Sequence, residues 1–191
     1  MTIIICPGIH EQALTDGFVS QLFGDNSNQI NYPNILVFPN EGILPVSGLH
    51  LLDFLDKNIR NKQTTPITLI SFSAGVIGAL IAAYLWELQG GKVRSFIAID
   101  GWGVPLFANF PIYRLSHDYF THWSSLLLGG GETNFYAEPS VNHLEMWSNP
   151  QMVKGICISL STSLSTVELP EQTYGTASDF LQVILNNKEE K

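Results

Sequence analysis

Apolar residues fall along the chain in two alternating patterns. Short runs that are β-branched or aromatic and lack polar alternation occupy residues 2–6, 35–38, 67–71, 95–99, 112–115 and 134–137. A strand covered on both faces has no solvent side to keep polar, so these runs read as buried strands. Between them lie stretches with apolar residues at helical spacing: 11–23 (Ala13, Leu14, Phe18, Val19, Leu22), 49–59, 74–88, 149–160 and 177–187. Ser47 stands where a side-chain oxygen would cap the second helix. Gly90-Gly91 stops the nearly all-apolar third, and Pro150 sits at the start of the fourth. Gly129-Gly130-Gly131 reads as a turn, and the Ser/Thr stretch from Ser159 to Thr166 as a frayed helix end and loop. Strands alternating with helices predict an α/β fold: a three-layer α/β/α sandwich with about six mostly parallel strands. With no repeat and no linker, residues 1–191 are expected to form one domain.

The apolar stretch 67–86 carries no charge and is long enough to span a bilayer. Ser71, Ser73, Gly75 and Gly78 punctuate it, and no basic flank marks one side, so a buried strand running into a buried helix is the expected reading. The opening Met1-Thr2-Ile3-Ile4-Ile5-Cys6-Pro7-Gly8 has no basic residue and breaks on Pro-Gly. It therefore reads as a first strand and not a signal peptide.

Composition narrows the function classes. Hydrophobic residues make up 45% of the chain and charged ones only 14%, which argues for a packed core and against long disorder. Nine basic against seventeen acidic residues give a net charge of −8, and no basic cluster breaks the excess. A phosphate backbone would be repelled, so no nucleic-acid partner is expected. Two cysteines, Cys6 and Cys157, are too few for a disulfide framework and read as buried free thiols, which suits a reducing, cytoplasmic setting.

The sharpest chemical signal is Ser71-Phe72-Ser73-Ala74-Gly75, where the third predicted strand meets the apolar helix. A tight strand-to-helix turn lifts one side chain above the sheet and needs small residues two positions before and after it. Ser71 and Gly75 meet that need. Ser73 would then lie at a helix N-terminus, where the dipole favours developing negative charge. Two further segments follow predicted strands: Cys6-Pro7-Gly8-Ile9-His10 and Ser140-Val141-Asn142-His143-Leu144-Glu145-Met146-Trp147.

In these segments the chain resembles the α/β-hydrolase superfamily, with serine at position 71 where the commoner motif has glycine. The resemblance implies Ser73 as nucleophile, His143 as its base, and the backbone N–H groups of Ile9 and Ala74 as an oxyanion hole. Among five histidines, position after the last predicted strand selects His143. For the acid it points to Asp118, set among turn residues in Tyr113-Arg114-Leu115-Ser116-His117-Asp118-Tyr119. Asp100, in Ile99-Asp100-Gly101, is the alternative and otherwise reads as a turn-capping Asp-Gly.

His10, Trp102, Phe107, Trp123 and Trp147 are candidates to line a substrate pocket, although aromatics in loops also serve as packing. His117, Asp118 and His122 invite a metal reading, but their spacing matches no usual zinc set, so neither a metal nor another cofactor is expected. The resemblance runs across most of the chain. It implies a minimal, lidless member in which the two leading strands of larger members are missing, acting on a small or short-acyl ester or thioester. Amide hydrolysis or acyl transfer on the same triad, and a non-catalytic binding domain, stand as alternatives. Haloalkane dehalogenation is disfavoured, since it needs a carboxylate where Ser73 stands.

Overall fold

The computed structural model describes residues 1–24, 34–131, 133–159 and 171–187. Six parallel strands form where the buried apolar runs lie: β1 (Thr2–Cys6), β2 (Asn34–Val37), β3 (Ile67–Phe72), β4 (Val93–Ile99), β5 (Ile112–Ser116) and β6 (Thr133–Ala137). Two more, β7 (Lys154–Ser159) and β8 (Glu171–Thr176), pair antiparallel at the far edge. The order is β2-β1-β3-β4-β5-β6-β7-β8, an eight-stranded sheet where about six strands are expected from the sequence.

Successive side chains of each inner strand feed opposite faces, which is why these strands carry no polar alternation. Ile3, Ile5, Ile70, Phe72, Ile97 and Ile99 face one layer, formed by α1 (Gln12–Phe23), α5 (Glu145–Ser148) and α6 (Ala177–Asn186). Ile4, Cys6, Leu69, Phe96 and Ala98 face the other, formed by α2 (Gly48–Asn58) and α3 (Gly75–Leu88). Ser47 caps α2, its Oγ accepting from the His50 N–H, and a reciprocal Thr176–Asp179 capping box starts α6. The uncharged stretch 67–86 resolves into β3, a turn and most of α3. No helix among the described residues is long and apolar enough to cross a membrane.

The helix expected over 149–160 is instead a turn followed by β7. Gly155 lies opposite Ala137, and a Cβ there would fall 2.9 Å from Cε2 of Phe135 and closer still to the Tyr136 carbonyl. A glycine that lets two strands close over an aromatic ring is poor helix material. Cys157 is accordingly half-buried on this strand, while Cys6 is fully buried and both thiols are free. Burial raises the pKa of each, so neither is a ready thiolate. Apart from Ser159, the Ser/Thr stretch from Ser159 to Thr166 lies outside the described residues.

One helix went unforeseen. Asp118 caps α4 (Tyr119–Leu126), its Oδ1 accepting from the Thr121 N–H at 2.7 Å. Beside this helix the Arg114 guanidinium is 2% exposed and donates to three carbonyls, those of Gly129 (2.5 Å), Val104 (2.9 Å) and Leu128 (3.1 Å). Burial lowers its pKa to about 10, so it stays charged at neutral pH. It thereby ties the loops after β4 and α4 together beneath the carboxyl edge of the sheet.

Candidate active site

At the switch in strand order, β1 and β3 lie side by side, and the loops at their C-terminal ends meet. Ser73 follows β3 with φ 52, and Asp100 follows β4 with φ 50. They are the only non-glycine residues with positive φ among the described residues. Each such conformation costs about 1–3 kcal/mol and persists only where surrounding contacts over-determine it. The Ser73 N–H donates to the Ile99 carbonyl (2.9 Å), and the Ser71 hydroxyl donates to the Ile97 carbonyl (2.9 Å), binding the turn to β4. α3 then begins at once, with Ala74 already in the right-handed helical region.

The small residue at position 75 is needed for the close approach of helix and strand. A Cβ on Gly75 would lie 2.8 Å from the Cys6 carbonyl oxygen and nearer still to that of Pro7. Gly75→Ala is therefore expected to lower Tm by about 5 °C, an overpacking cost of about 1–3 kcal/mol that a thermal melt would read. The same loop brings Gly8 against the Ser73 turn, since a Cβ there would be 3.1 Å from Ser73 Cβ. Ile9 is the next residue, with its side chain exposed.

From the loop after β6, His143 reaches both strained residues. Its Nε2 lies 3.0 Å from Ser73 Oγ and its Nδ1 2.9 Å from Asp100 Oδ2. With Nδ1–H donated to Asp100, Nε2 is left to accept the Ser73 hydroxyl proton. The imidazole stacks on Phe72 (4.7 Å between ring centres), and Phe72 stacks on Trp147 (5.1 Å), so an aromatic column supports the ring from below.

Asp100 also accepts from His117: the backbone N–H at Oδ1 (2.8 Å) and Nδ1 at Oδ2 (3.0 Å). Its side chain is 1% exposed. Burial alone would raise the carboxyl pKa, but the hydrogen bonds from His117 and His143 outweigh it and hold the group below the usual carboxylate value. Asp100, His117 and His143 thus gather donor atoms within 4.8 Å of one another. The short N···O vectors are taken up by hydrogen bonds converging on one carboxylate oxygen.

The sequence-predicted residues divide accordingly. Ser73, His143 and Asp100 come together. Asp118 does not bond His143: its Oδ1 serves the α4 cap, and its Oδ2 lies 3.6 Å from His117 Nε2. Trp102 lines the cleft beside Ser73 and donates Nε1–H to Ser124 Oγ (2.9 Å). Trp147 is instead core, fully buried, stacked on Phe18 and donating to Thr15 Oγ1 (3.3 Å). Phe107 belongs to a separate cleft with Phe110 and Gly129, and Trp123 is exposed on α4 outside the walls of the Ser73 cleft. His10 packs edge-on against Phe72, with Nδ1 2.9 Å from the Glu11 carbonyl. His122 is buried in α4 and stacked on Tyr136, apart from the His117–Asp118 pair.

The cleft above Ser73 holds about 480 Å³, and Ile77, Val104, Phe120 and Thr121 complete its walls. Sequence reasoning missed these four, together with His117 as a partner of Asp100. The only available signal was that His117 directly follows a strand end, as Asp100 does.

No known family model matches the chain, and no curated protein matches it. Among solved structures it is similar to YbtT, the type II thioesterase from the yersiniabactin NRPS/PKS biosynthetic pathway. That similarity has a TM-score of 0.39 and 16% identity, over 58% of this chain. The chain matches 45% of the length of that thioesterase.

Proposed function

We propose that the chain is a serine hydrolase with an α/β-hydrolase-type site, cleaving small or short-acyl carboxylic esters or thioesters. The observation that carries the reading is the continuous path Ser73 Oγ–His143 Nε2–His143 Nδ1–Asp100 Oδ2, built on two strained residues at the carboxyl edge of the sheet. Ser73 Oγ attacks the substrate carbonyl carbon while His143 Nε2 takes its proton. Asp100 holds the Nδ1–H tautomer and stabilises the imidazolium that forms. The N–H groups of Ile9 and Ala74 take the oxyanion of the tetrahedral intermediate. His143 returns the proton to the leaving alkoxide or thiolate, and the acyl-enzyme forms. A water deprotonated by the same imidazole then releases the acid and restores Ser73. The apolar walls at Ile77, Val104 and Phe120 suit a short acyl chain, and 480 Å³ suits a small substrate.

A fluorophosphonate probe tests the reading without a substrate guess. Ser73 Oγ would displace fluoride from phosphorus, losing its proton to His143. The expected result is near-stoichiometric modification, located at Ser73 by peptide mass spectrometry. An unlabelled, folded protein would instead support a non-catalytic role for the cleft.

A further inference from the structure

The carboxylate that serves His143 is shared, and a lone triad does not need the second imidazole on it. His117 N–H and Nδ1 occupy both oxygens of Asp100, and the two histidine rings stand 5.9 Å apart in an edge-on arrangement. His117 is held at the end of β5, its own carbonyl accepting from the Val141 N–H (3.0 Å) of the loop that carries His143. We propose, resting on the triad reading above, that His117 is a positioning residue. It clamps Asp100 from both oxygens and, when its ring carries a second proton, competes with His143 for the carboxylate charge.

Among the described residues, the charged and titratable groups facing His117 are Asp100 from the end of β4, His143 from the loop after β6, and its neighbour Asp118. The hydrogen bond to Asp100 raises the pKa of His117. Partial burial opposes that rise, and the charges of Asp100 and Asp118 add to it. Its ionisation is therefore displaced upward from the ordinary histidine value of 6.5. Below that ionisation His117 is a cation, so the imidazolium developing on His143 must share Asp100 with a charge already present. As pH rises through it, the proton leaves Nε2 while Nδ1–H stays on Asp100, and the whole carboxylate charge serves His143. Activity should then rise a second time, above the pH at which a single histidine base would level off. For partly exposed rings at this separation the step is about fivefold.

The test measures the rate of Ser73 labelling by a fluorophosphonate from pH 5 to 9 in the wild-type chain, His117→Asn and His117→Ala. Asn keeps a side-chain donor toward Asp100 but cannot ionise. We expect two rises with pH in the wild type and one in His117→Asn. In His117→Ala, where Asp100 loses the imidazole of residue 117 but keeps its backbone N–H and the His143 Nδ1–H, the profile should also show a single rise, with labelling about tenfold slower than in His117→Asn at every pH. In parallel, 15N NMR of labelled imidazoles should show wild-type His117 titrating above 6.5 and returning toward it in Asp100→Asn. A wild-type-shaped profile in His117→Asn, or His117 titrating at or below 6.5, overturns this proposal while leaving the triad standing. No labelling of Ser73 at any pH overturns the triad reading, and this proposal with it.

Discussion

Ser73→Ala is expected to lower kcat/KM for a short ester such as p-nitrophenyl acetate by about 10⁵-fold, with Tm almost unchanged. Activity falls because the nucleophile and the hydroxyl proton go together, and no neighbouring group can replace either. Stability holds because the lost contact is a half-buried hydrogen bond to His143, while the φ of 52 is inherited by alanine at similar cost. A second variant separates function from strain. Ser73→Gly should be equally inactive yet melt about 2–4 °C higher, since glycine takes the left-handed region without a Cβ clash. Esterase rates and thermal melts on the two variants check both halves. Retained turnover in Ser73→Ala would remove Ser73 from the chemistry.

The location of the site follows from the order of the strands. β1 is paired on one side with β2 and on the other with β3, and the helices that follow β1 and β3 pack on opposite faces, so the turns leaving these two strands meet at the carboxyl edge of the sheet. There the Pro7-Gly8 turn packs against the Ser73 elbow and the start of α3, and the cleft opens on the other side of Ser73. The next two parallel strands add Asp100 and His117 along the same edge, and the loop after β6 folds back to deliver His143. Five strand ends thus supply one cluster, each held by a sheet that is rigid because both faces are packed.

How much of this can be read from the sequence depends on where the deciding interactions lie. The parallel strands are legible because burial of the inner ones on both faces writes itself locally, as β-branched and aromatic runs such as residues 3–5 and 96–99, with only single polar residues such as Thr68, Arg114 and Asn134 buried among them. The antiparallel pair is not. β8 reads Glu-Gln-Thr-Tyr-Gly-Thr, a polar edge strand with exposed Tyr174, and it is a strand only because β7 lies beside it. Around Cys157 the apolar positions fit a helix as well as a strand, and pairing with β6 decides between them. The Ser73 elbow is legible because its demand for small neighbours is local. Trp147 was misplaced for the opposite reason: its position near His143 in sequence is shared by pocket walls and by core supports. Only the stack Phe18–Trp147–Phe72–His143 settles which it is.

The acid shows the same limit, and it leads to the second large expectation. Asp100→Asn is expected to reduce kcat/KM about 10⁴-fold, while Asp118→Asn stays within about threefold of wild type. Both follow strand ends, and turn residues around Asp118 made it the natural candidate. Those turn residues are the start of α4, and the carboxylate is engaged as its cap. Asparagine caps a helix about as well as aspartate, so Asp118→Asn should fold and react normally. At position 100 the same change removes a buried negative charge on which two imidazoles converge. An amide there can offer its N–H to His143 and trap the tautomer that cannot accept the Ser73 proton, and it no longer stabilises the imidazolium. Steady-state rates on the two variants decide the matter. A large loss in Asp118→Asn with near-normal Asp100→Asn would move the acid to Asp118 and require the loop after β6 to swing His143 away from the position it holds here.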